Sequence, residues 1–252
     1  MKRLRFGLSV GFLVVLVILS GCASPQKKAF ESVTGKTHSA VTQENRDKER
    51  HRAFNERVKQ GTVDLIFIGD SITQGWEKNG KEVWSQYYGN RNAVNLGIGG
   101  DRTQHVLWRL ANGNIDNISP KVAVLMIGTN NQPPRNTAEE ITDGIISICK
   151  VLREKLPNTK ILLLAIFPRG QQPNEGREEL ARASKMASVV ADNKSIYYLD
   201  IGDKFLEPDG TISKEIMPDF LHLSPKGYQI WAEAIEPELA KLMGALEPNI
   251  SR

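Results

Sequence analysis

The stretch Asp64-Leu65-Ile66-Phe67-Ile68-Gly69-Asp70-Ser71 decides the fold of this chain. Its apolar residues run from 65 to 68 without alternation, a pattern typical of a strand buried on both faces of a parallel sheet. Glycine, aspartate and serine then end the run with turn and helix-capping chemistry. We therefore predict a buried strand over residues 64–68 that leads directly into a helix at Ser71.

Further apolar runs of the same kind follow along the chain, separated by longer stretches of helical pattern. They cover residues 93–96, 122–127, 161–166 and 196–199. Between them, Thr137 and Glu140 form a capping box, and Ser224-Pro225 begins the last helix. This alternation of strands and helices predicts an α/β fold, a three-layer α/β/α sandwich with a five-stranded parallel sheet.

The composition indicates one domain and a nearly neutral mature chain. With 252 residues, 40% of them hydrophobic, the chain can bury one sizeable core, and we expect a single domain over residues 46–252. Of the 33 basic residues, three precede residue 8, so 30 remain against 29 acidic ones. This balance gives no indication of nucleic-acid binding.

The N terminus has the layout of an export signal. Basic residues precede an apolar run over residues 8–19, which is too short to span a membrane comfortably. The run ends in Leu19-Ser20-Gly21-Cys22, which resembles the lipobox of bacterial lipoproteins. That resemblance implies a signal peptide over residues 1–21 and lipidation of Cys22. A plain secretory signal or a short uncleaved anchor helix is the alternative.

The segment after Cys22 is rich in Ser, Thr, Lys and Gln, which predicts a flexible tether over residues 22–45. His38 falls in this segment, and we expect no chemical role for it. A surface helix is predicted over residues 44–60. The protein would then be exported and anchored by lipid to the cell envelope, at the outer membrane if the source is Gram-negative, because Ala23 rather than an acidic residue follows the cysteine.

The second cysteine, Cys149, lies on the apolar side of a predicted helix. A small buried hydrophobe is the expected role of such a cysteine. With one thiol lipidated and the other buried, we expect neither a disulfide nor a cysteine metal site.

Polar and Gly-rich segments follow the first strands, at the point where each strand ends. Because the carboxyl ends of parallel strands meet at one edge of a sheet, Ser71, Gly100 and Asn130 are expected near one another. Ser71 begins a helix, where its hydroxyl can act as a nucleophile and its free N–H can stabilise a developing oxyanion. The alternative is that Asp70 or Ser71 merely caps the helix.

A serine nucleophile requires a base, and His222 is the candidate. His38 and His51 precede the first strand, and His105 is interpreted as a partly exposed helix residue. Asp219 lies three residues before His222, a spacing that can bring its carboxylate to the imidazole. Alternatively, Asp219 is a loop-capping carboxylate and His222 bonds only to backbone.

Two loops supply candidate donors for the oxyanion. A glycine at position 100 lets the backbone approach the reacting carbonyl closely, and the side-chain amide of Asn130 adds a neutral donor. Both loops could instead be simple turns. Arg169, after the fourth strand, either contacts substrate or holds its own loop, and the sequence does not favour one over the other.

Taken together, Ile68-Gly69-Asp70-Ser71, Gly100, Gly128-Thr129-Asn130 and Asp219-x-x-His222 resemble the four signature blocks of the SGNH (GDSL-type) hydrolases, in the family's order. Longer stretches are more similar to the catalytic subunits of intracellular platelet-activating-factor acetylhydrolase. They are residues 96–101, 105–110, 128–131 and 219–223.

The resemblance implies a flavodoxin-like SGNH fold, with Ser71 as nucleophile and His222 and Asp219 as its partners. It also implies oxyanion donors from Ser71 N–H, Gly100 N–H and the Asn130 side chain. Ile72 stands where the GDSL name has leucine, which changes an apolar neighbour and no catalytic role. No metal or organic cofactor is implied, and a homodimer stays open.

The predicted activity is a serine esterase that hydrolyses short-chain, acetyl esters through an acyl-Ser71 intermediate. An exported enzyme meets glycans first, so O-acetylated carbohydrate is the leading substrate class and phospholipid or lysophospholipid the second. Membrane attachment is expected through the lipid anchor. The rival hypothesis is a non-catalytic carbohydrate-binding lipoprotein of the same fold.

Overall fold

The computed structural model describes residues 23–132 and 135–244. Five parallel strands form one sheet in the order β2-β1-β3-β4-β5. The strands are β1 (Leu65–Gly69), β2 (Ala93–Gly97), β3 (Val122–Met126), β4 (Lys160–Leu164) and β5 (Ile196–Leu199). The predicted α/β class and five-stranded parallel sheet are confirmed, and each predicted strand is shifted or trimmed by no more than a residue or two.

Helices cover both faces of this sheet. They are α1 (Pro25–Ser32), α2 (Glu49–Lys59), α3 (Ser71–Gln74), α4 (Lys81–Tyr88), α5 (Thr103–Ala111), α6 (Ala138–Lys155), α7 (Glu175–Ala187) and α8 (Pro225–Met243). Four short 3₁₀ turns lie between them, at Gly75–Glu77, Thr129–Asn131, Ser188–Val190 and Gly202–Phe205. Among the described helices, none is long and apolar enough to cross a membrane.

Alternate residues of each strand face two separate cores. In β1, Ile66 and Ile68 pack with α1, α2, α5, α6 and α7, whereas Leu65 and Phe67 pack with α4 and α8. All five residues of β1 are buried, as expected for a central strand covered on both faces. The two cores are the physical reason why the apolar runs lack alternation.

The register of the sheet brings three loops to one edge. Gly69 pairs with Gly97 on one side and with Met126 on the other, so β1, β2 and β3 end at the same level. The segments that follow these strands therefore leave the carboxyl edge together.

The prediction of a flexible tether is wrong for the part of it that the structure describes, residues 23–45. Residues 25–32 form α1, capped by Ser24, and Ala29 and Val33 belong to a hydrophobic core. Further on, Ala40 is fully buried. The few apolar side chains fall on one helical stripe, which the Ser- and Lys-rich composition concealed.

Three other expectations need a correction or lie beyond the described chain. The surface helix expected over residues 44–60 begins only at Glu49, because residues 43–48 adopt no regular structure. The signal peptide and the lipidation site at Cys22 lie outside the described residues. The predicted domain start at residue 46 separates segments that pack together.

Candidate active site

Ser71 is the first residue of α3, directly beyond the end of β1. Asp70 occupies the N-cap position, and its Oδ1 accepts a hydrogen bond of 2.9 Å from the N–H of Ile72. The capping interpretation therefore holds for Asp70, and the hydroxyl of Ser71 remains free for other contacts. A Cβ at Gly69 would lie 2.1 Å from Oγ1 of Thr73, so only glycine lets α3 pack this closely on the strand.

The structure brings Ser71, His222 and Asp219 together in one row. Oγ of Ser71 lies 2.9 Å from Nε2 of His222, and Nδ1 of His222 lies 2.7 Å from Oδ2 of Asp219. These distances suit a hydroxyl bonded to an imidazole whose second nitrogen is oriented by a carboxylate. Ser71 and His222 are 151 residues apart in sequence.

The loop that carries the base is stabilised by the same aspartate. Oδ1 of Asp219 accepts hydrogen bonds from the backbone N–H groups of His222, at 2.7 Å, and Leu221, at 3.1 Å. Partial burial raises the pKa of Asp219, but hydrogen bonds from the side chain and backbone of His222 outweigh it and hold the pKa below its usual value. Asp219 is thus both the loop cap and the partner of the imidazole.

The loops that follow β2 and β3 carry the other candidate oxyanion donors, Gly100 and Asn130. Gly100 has a φ of 78°, a conformation that favours glycine. Nδ2 of Asn130 donates one hydrogen bond of 2.9 Å to the carbonyl of Asp101, which leaves its second amide proton free. Within the described parts of the chain, the N–H groups of Ser71 and Gly100 make no hydrogen bond. Each of the three predicted groups can therefore donate to a ligand.

The loop that carries Gly100 is held by an ion-pair network that sequence reasoning missed. The fully buried carboxylate of Asp101 accepts from Nε of Arg46 at 2.6 Å and from Nε of Arg109 at 2.8 Å. Nη2 of Arg46 also donates to the carbonyl of Gly99, at 2.7 Å. No local motif pairs residues 46 and 101, so the sequence carried no signal for this contact.

The other histidines have partners away from Ser71. His105 is 4% exposed, which corrects the expectation of a partly exposed residue, and its Nδ1 accepts from the N–H of Arg102. Nε2 of His38 lies 2.9 Å from Oδ2 of Asp143 on α6. His38 therefore helps to attach the N-terminal segment to the domain.

Arg169 holds a loop at the edge of the site. Its Nη1 donates to the carbonyl and to Oγ1 of Thr129, at 3.3 and 3.2 Å, next to Asn130. Burial lowers the pKa of Arg169, and the nearby carboxylates of Asp70 and Asp219 oppose that shift. These contacts fit the loop-holding interpretation.

Asp70 is the most perturbed carboxyl group beside the site. It is completely buried, and its Oδ2 has no hydrogen-bond partner among the described residues. Burial raises the pKa of Asp70 from 3.8 to about 7, although the hydrogen bond from Ile72 opposes the shift. The carboxyl group therefore titrates near neutral pH, one residue before the candidate nucleophile.

A groove of about 370 Å³ opens over the row and includes Ser71 and His222 in its lining. The polar side chains of Gln74, Lys78 and Asn79 line it as well, together with Leu223 and Tyr228. A larger cavity of about 660 Å³ lies at the start of α6 and α7 and holds none of the candidate catalytic residues. We assign the chemistry to the smaller groove because it contains the serine that is bonded to a histidine.

Outside the groove, the described residues offer neither a reactive thiol nor a metal-binding cluster. Cys149 is buried, and burial raises the pKa of its thiol to about 12, which makes it unreactive. No group of three or more His, Cys, Asp or Glu side chains in the described chain has the arrangement of a metal site.

The sequence of this chain is similar to those of known acylhydrolases. The sequence profile of the GDSL-like lipase/acylhydrolase family matches residues 67–230. Platelet-activating factor acetylhydrolase IB subunit alpha1 of Bos taurus is 39% identical over 194 residues, which cover 77% of this chain and 82% of that protein.

Solved structures of esterases share the fold. A variant of an acetyl-xylooligosaccharide esterase from Geobacillus superposes with a TM-score of 0.57 at 20% identity, covering 76% of this chain and 98% of the other. A carbohydrate acetylesterase family member from Sinorhizobium meliloti gives a TM-score of 0.57 at 16% identity, covering 73% of this chain and 100% of the other.

Proposed function

The chain belongs to the GDSL-like lipase/acylhydrolase family and is a carboxylic ester hydrolase; from that premise we propose that it removes short acyl groups, acetyl above all, from O-acylated carbohydrate. The observation that carries the proposal is the bonded row of Ser71, His222 and Asp219 beside a groove that polar side chains help to line.

In the proposed reaction, Oγ of Ser71 attacks the ester carbonyl while Nε2 of His222 takes the hydroxyl proton. The Asp219 carboxylate orients the imidazole and stabilises its protonated form. His222 then returns the proton to the leaving alcohol, which departs and leaves an acetyl ester on Ser71. A water molecule, deprotonated by the same imidazole, releases acetate and restores the serine.

The tetrahedral intermediate carries a negative oxygen that needs fixed donors. Ser71 N–H, Gly100 N–H and the free amide proton of Asn130 are proposed to supply them. Removing one such donor commonly costs about 100 to 1000-fold in turnover.

A short acyl group on a polar alcohol is supported by two features. The groove of about 370 Å³ is small for a lipid tail and is lined by Gln74, Lys78 and Asn79. The names of the similar proteins from Geobacillus and Sinorhizobium also refer both to acetyl esters and to carbohydrate. The mammalian relatives are named as acetylhydrolases of platelet-activating factor, and phospholipid or lysophospholipid is the second candidate substrate.

An active-site probe tests the catalytic proposal against the rival of a carbohydrate-binding protein without activity. A fluorophosphonate should label the wild-type protein at Ser71 and leave Ser71→Ala unlabelled, because only an activated serine reacts. Unlabelled wild-type protein that still binds acetylated glycan would support the rival.

A pair of substrates tests the acyl acceptor. We expect a higher kcat/KM for an acetylated xylo-oligosaccharide than for an acetylated phospholipid in detergent micelles. The reverse order would favour the phospholipid hypothesis.

We also propose that the protein is a lipoprotein attached to the envelope through Cys22. The support is the lipobox-like sequence Leu19-Ser20-Gly21-Cys22 after a basic and apolar leader. Metabolic labelling with a fatty-acid analogue should modify the wild type and not Cys22→Ser. Equal label in both proteins would refute this anchor.

A further inference from the structure

The segment over residues 24–46, here called the N-terminal strap, begins at the amino edge of the sheet. Nε2 of Gln26 in α1 donates to the carbonyl of Val190, at 2.9 Å. Val190 lies in the 3₁₀ turn between the end of α7 and the start of β5. Because the helices of this fold run antiparallel to the parallel strands, the end of α7 marks the amino edge.

From there the strap runs along α6 to the opposite edge. Its Thr34 accepts from Lys150, in the second half of α6, at 2.8 Å, and its His38 contacts Asp143, in the first half. The strap reaches the carboxyl edge at Arg46, which bonds to the loop before α5. A five-residue strand is about 17 Å long, so the ends of the strap are separated by at least about that distance.

The amino edge beside α1 carries the two most exposed large apolar side chains among the residues that the structure describes. Met186 is 37% exposed and Val189 45% exposed, and no other large hydrophobic side chain of the described chain is as open. Both lie within a few residues of Val190, where α1 docks. Two exposed side chains make a patch far smaller than the area a stable dimer buries, about 1,600 Å².

Lysines surround this patch. The segments that meet there carry exposed lysines at positions 27, 28, 185 and 194. Of the nearby carboxylates, Glu31 faces Lys27 at 3.9 Å, and Asp192 is engaged by backbone N–H groups of residues 194–196. Exposed apolar side chains among lysines suit a bilayer with anionic headgroups, particularly beside a lipid anchor.

We infer that this face, formed by the start of α1, the end of α7 and the turn at Ser188–Val190, rests on an anionic lipid bilayer, and that the catalytic groove opens away from that bilayer. We call it the amino-edge face. The inference rests on the lipid anchor and the esterase activity proposed above. Residue 23 lies at this face, only one residue beyond the proposed lipidated cysteine, so the anchor itself allows little separation between face and membrane.

The orientation has a consequence for the substrate. Ser71 lies at the carboxyl edge, at least about 17 Å farther from the bilayer than the amino edge. An ester in a phospholipid of the same membrane cannot reach it without leaving the bilayer. Acyl esters on soluble or wall-bound glycan meet the groove directly, which deepens the proposal of a carbohydrate substrate.

Depth-dependent fluorescence quenching tests the orientation. The lipidated full-length protein is reconstituted into vesicles of phosphatidylglycerol and phosphatidylcholine with brominated acyl chains. A bimane label is placed on Val189→Cys or, as matched control at the carboxyl edge, on exposed Gln172→Cys. The buried thiol of Cys149 does not compete for the label.

We expect a loss of emission for the label at position 189 and none for the label at position 172. Lys28→Glu should reduce the quenching at position 189, whereas Lys81→Glu, on α4, should not. Equal quenching at both positions, or stronger quenching at position 172, would overturn the inference. A label at position 189 that is shielded without vesicles, in proportion to protein concentration, would assign the face to a second copy instead.

A substrate comparison in the same vesicles completes the test. Vesicle-bound enzyme should hydrolyse a soluble acetylated xylo-oligosaccharide at the rate of the detergent-solubilised enzyme, but should lose most of its activity on an acetylated phospholipid embedded in those vesicles. Undiminished hydrolysis of the embedded lipid would overturn the orientation. Absence of lipid on Cys22, or of hydrolysis of every ester, would instead refute the proposed anchor or activity, so the failures are distinguishable.

Discussion

Arg46 forms an ion pair of 2.6 Å with the buried carboxylate of Asp101, joining the N-terminal strap to the loop of Gly100. Only 13% of the Arg46 side chain is exposed, and Asp101 is fully buried. A pair this enclosed is costly to break, because the remaining charge stays in a medium of low dielectric constant. The strap is thus part of the environment of the candidate oxyanion site.

We predict that Arg46→Ala lowers kcat on a soluble acetyl ester by about 10-fold or more, with a smaller change in KM, because the donor at Gly100 loses its fixed position. Arg46→Lys should recover part of kcat. Arg52→Ala is the matched control, since Arg52 and its partner Asp47 are 61% and 48% exposed. Steady-state kinetics together with thermal unfolding would decide, and a normal kcat for Arg46→Ala would contradict the prediction.

Ser71→Ala and His222→Ala should each lower kcat by about 1000-fold or more, and the double variant should be little worse, because the groups act as a unit. Asp219→Asn should cost less, since nucleophile and base remain. Ser188→Ala, outside the groove, serves as the control. If His222→Ala kept its turnover, the proposed base would be wrong.

Asn130→Ala should reduce kcat by about 100-fold, or about 3 kcal/mol of transition-state stabilisation, with KM nearly unchanged. The amide is expected to act only on the developing oxyanion. Asn112→Ala provides a comparison, because the Asn112 amide caps a helix carbonyl, that of Trp108, far from Ser71. A large rise in KM without a fall in kcat would show that Asn130 binds substrate instead.

The titration of Asp70 should make stability depend on pH. Burial raises its pKa from 3.8 to about 7, so the folded state binds more protons than the unfolded state between these values. The contribution of Asp70 is fully present below pH 3.8 and is lost as pH rises through about 7.

Asp70→Asn removes this titration. Relative to wild type, the variant should gain at most about 3 kcal/mol in free energy of unfolding between pH 5 and pH 8. Urea denaturation at several pH values would measure the difference. A difference that stays constant with pH would show that the carboxyl group is not desolvated in the folded state.

The sheet could be predicted because its signal is local. Each strand is a short, continuous apolar run, since both faces are covered, and residues 65–68 show this most clearly. The site followed from the same reasoning, because Ser71, Gly100 and Asn130 each stand just beyond a strand end. His222 could be selected since the other histidines lie before the sheet or inside a helix.

What could not be predicted depends on partners far away in sequence. The composition of residues 22–45 suggested a tether, but Ala29 and Val33 become part of a core once α6 and the turn at Ser188–Val190 lie beside α1. Arg46 similarly looks like an ordinary surface residue until Asp101, 55 residues later, is placed next to it. His105 was expected to be partly exposed because the contact with Glu44 cannot be read from its helix alone.

The docking of α1 also decides how mechanical load would travel through the protein. A pull on residue 23 is borne first by the contact of Gln26 with Val190 and by the apolar packing of Ala29 and Val33. These contacts act in series before the ion pairs at Asp143 and then Arg46. A tension applied at residue 23 would therefore shear α1 from the domain before it reached the ion pair between Arg46 and Asp101. As long as α1 stays docked, the strap keeps such a tension away from the loop that carries Gly100.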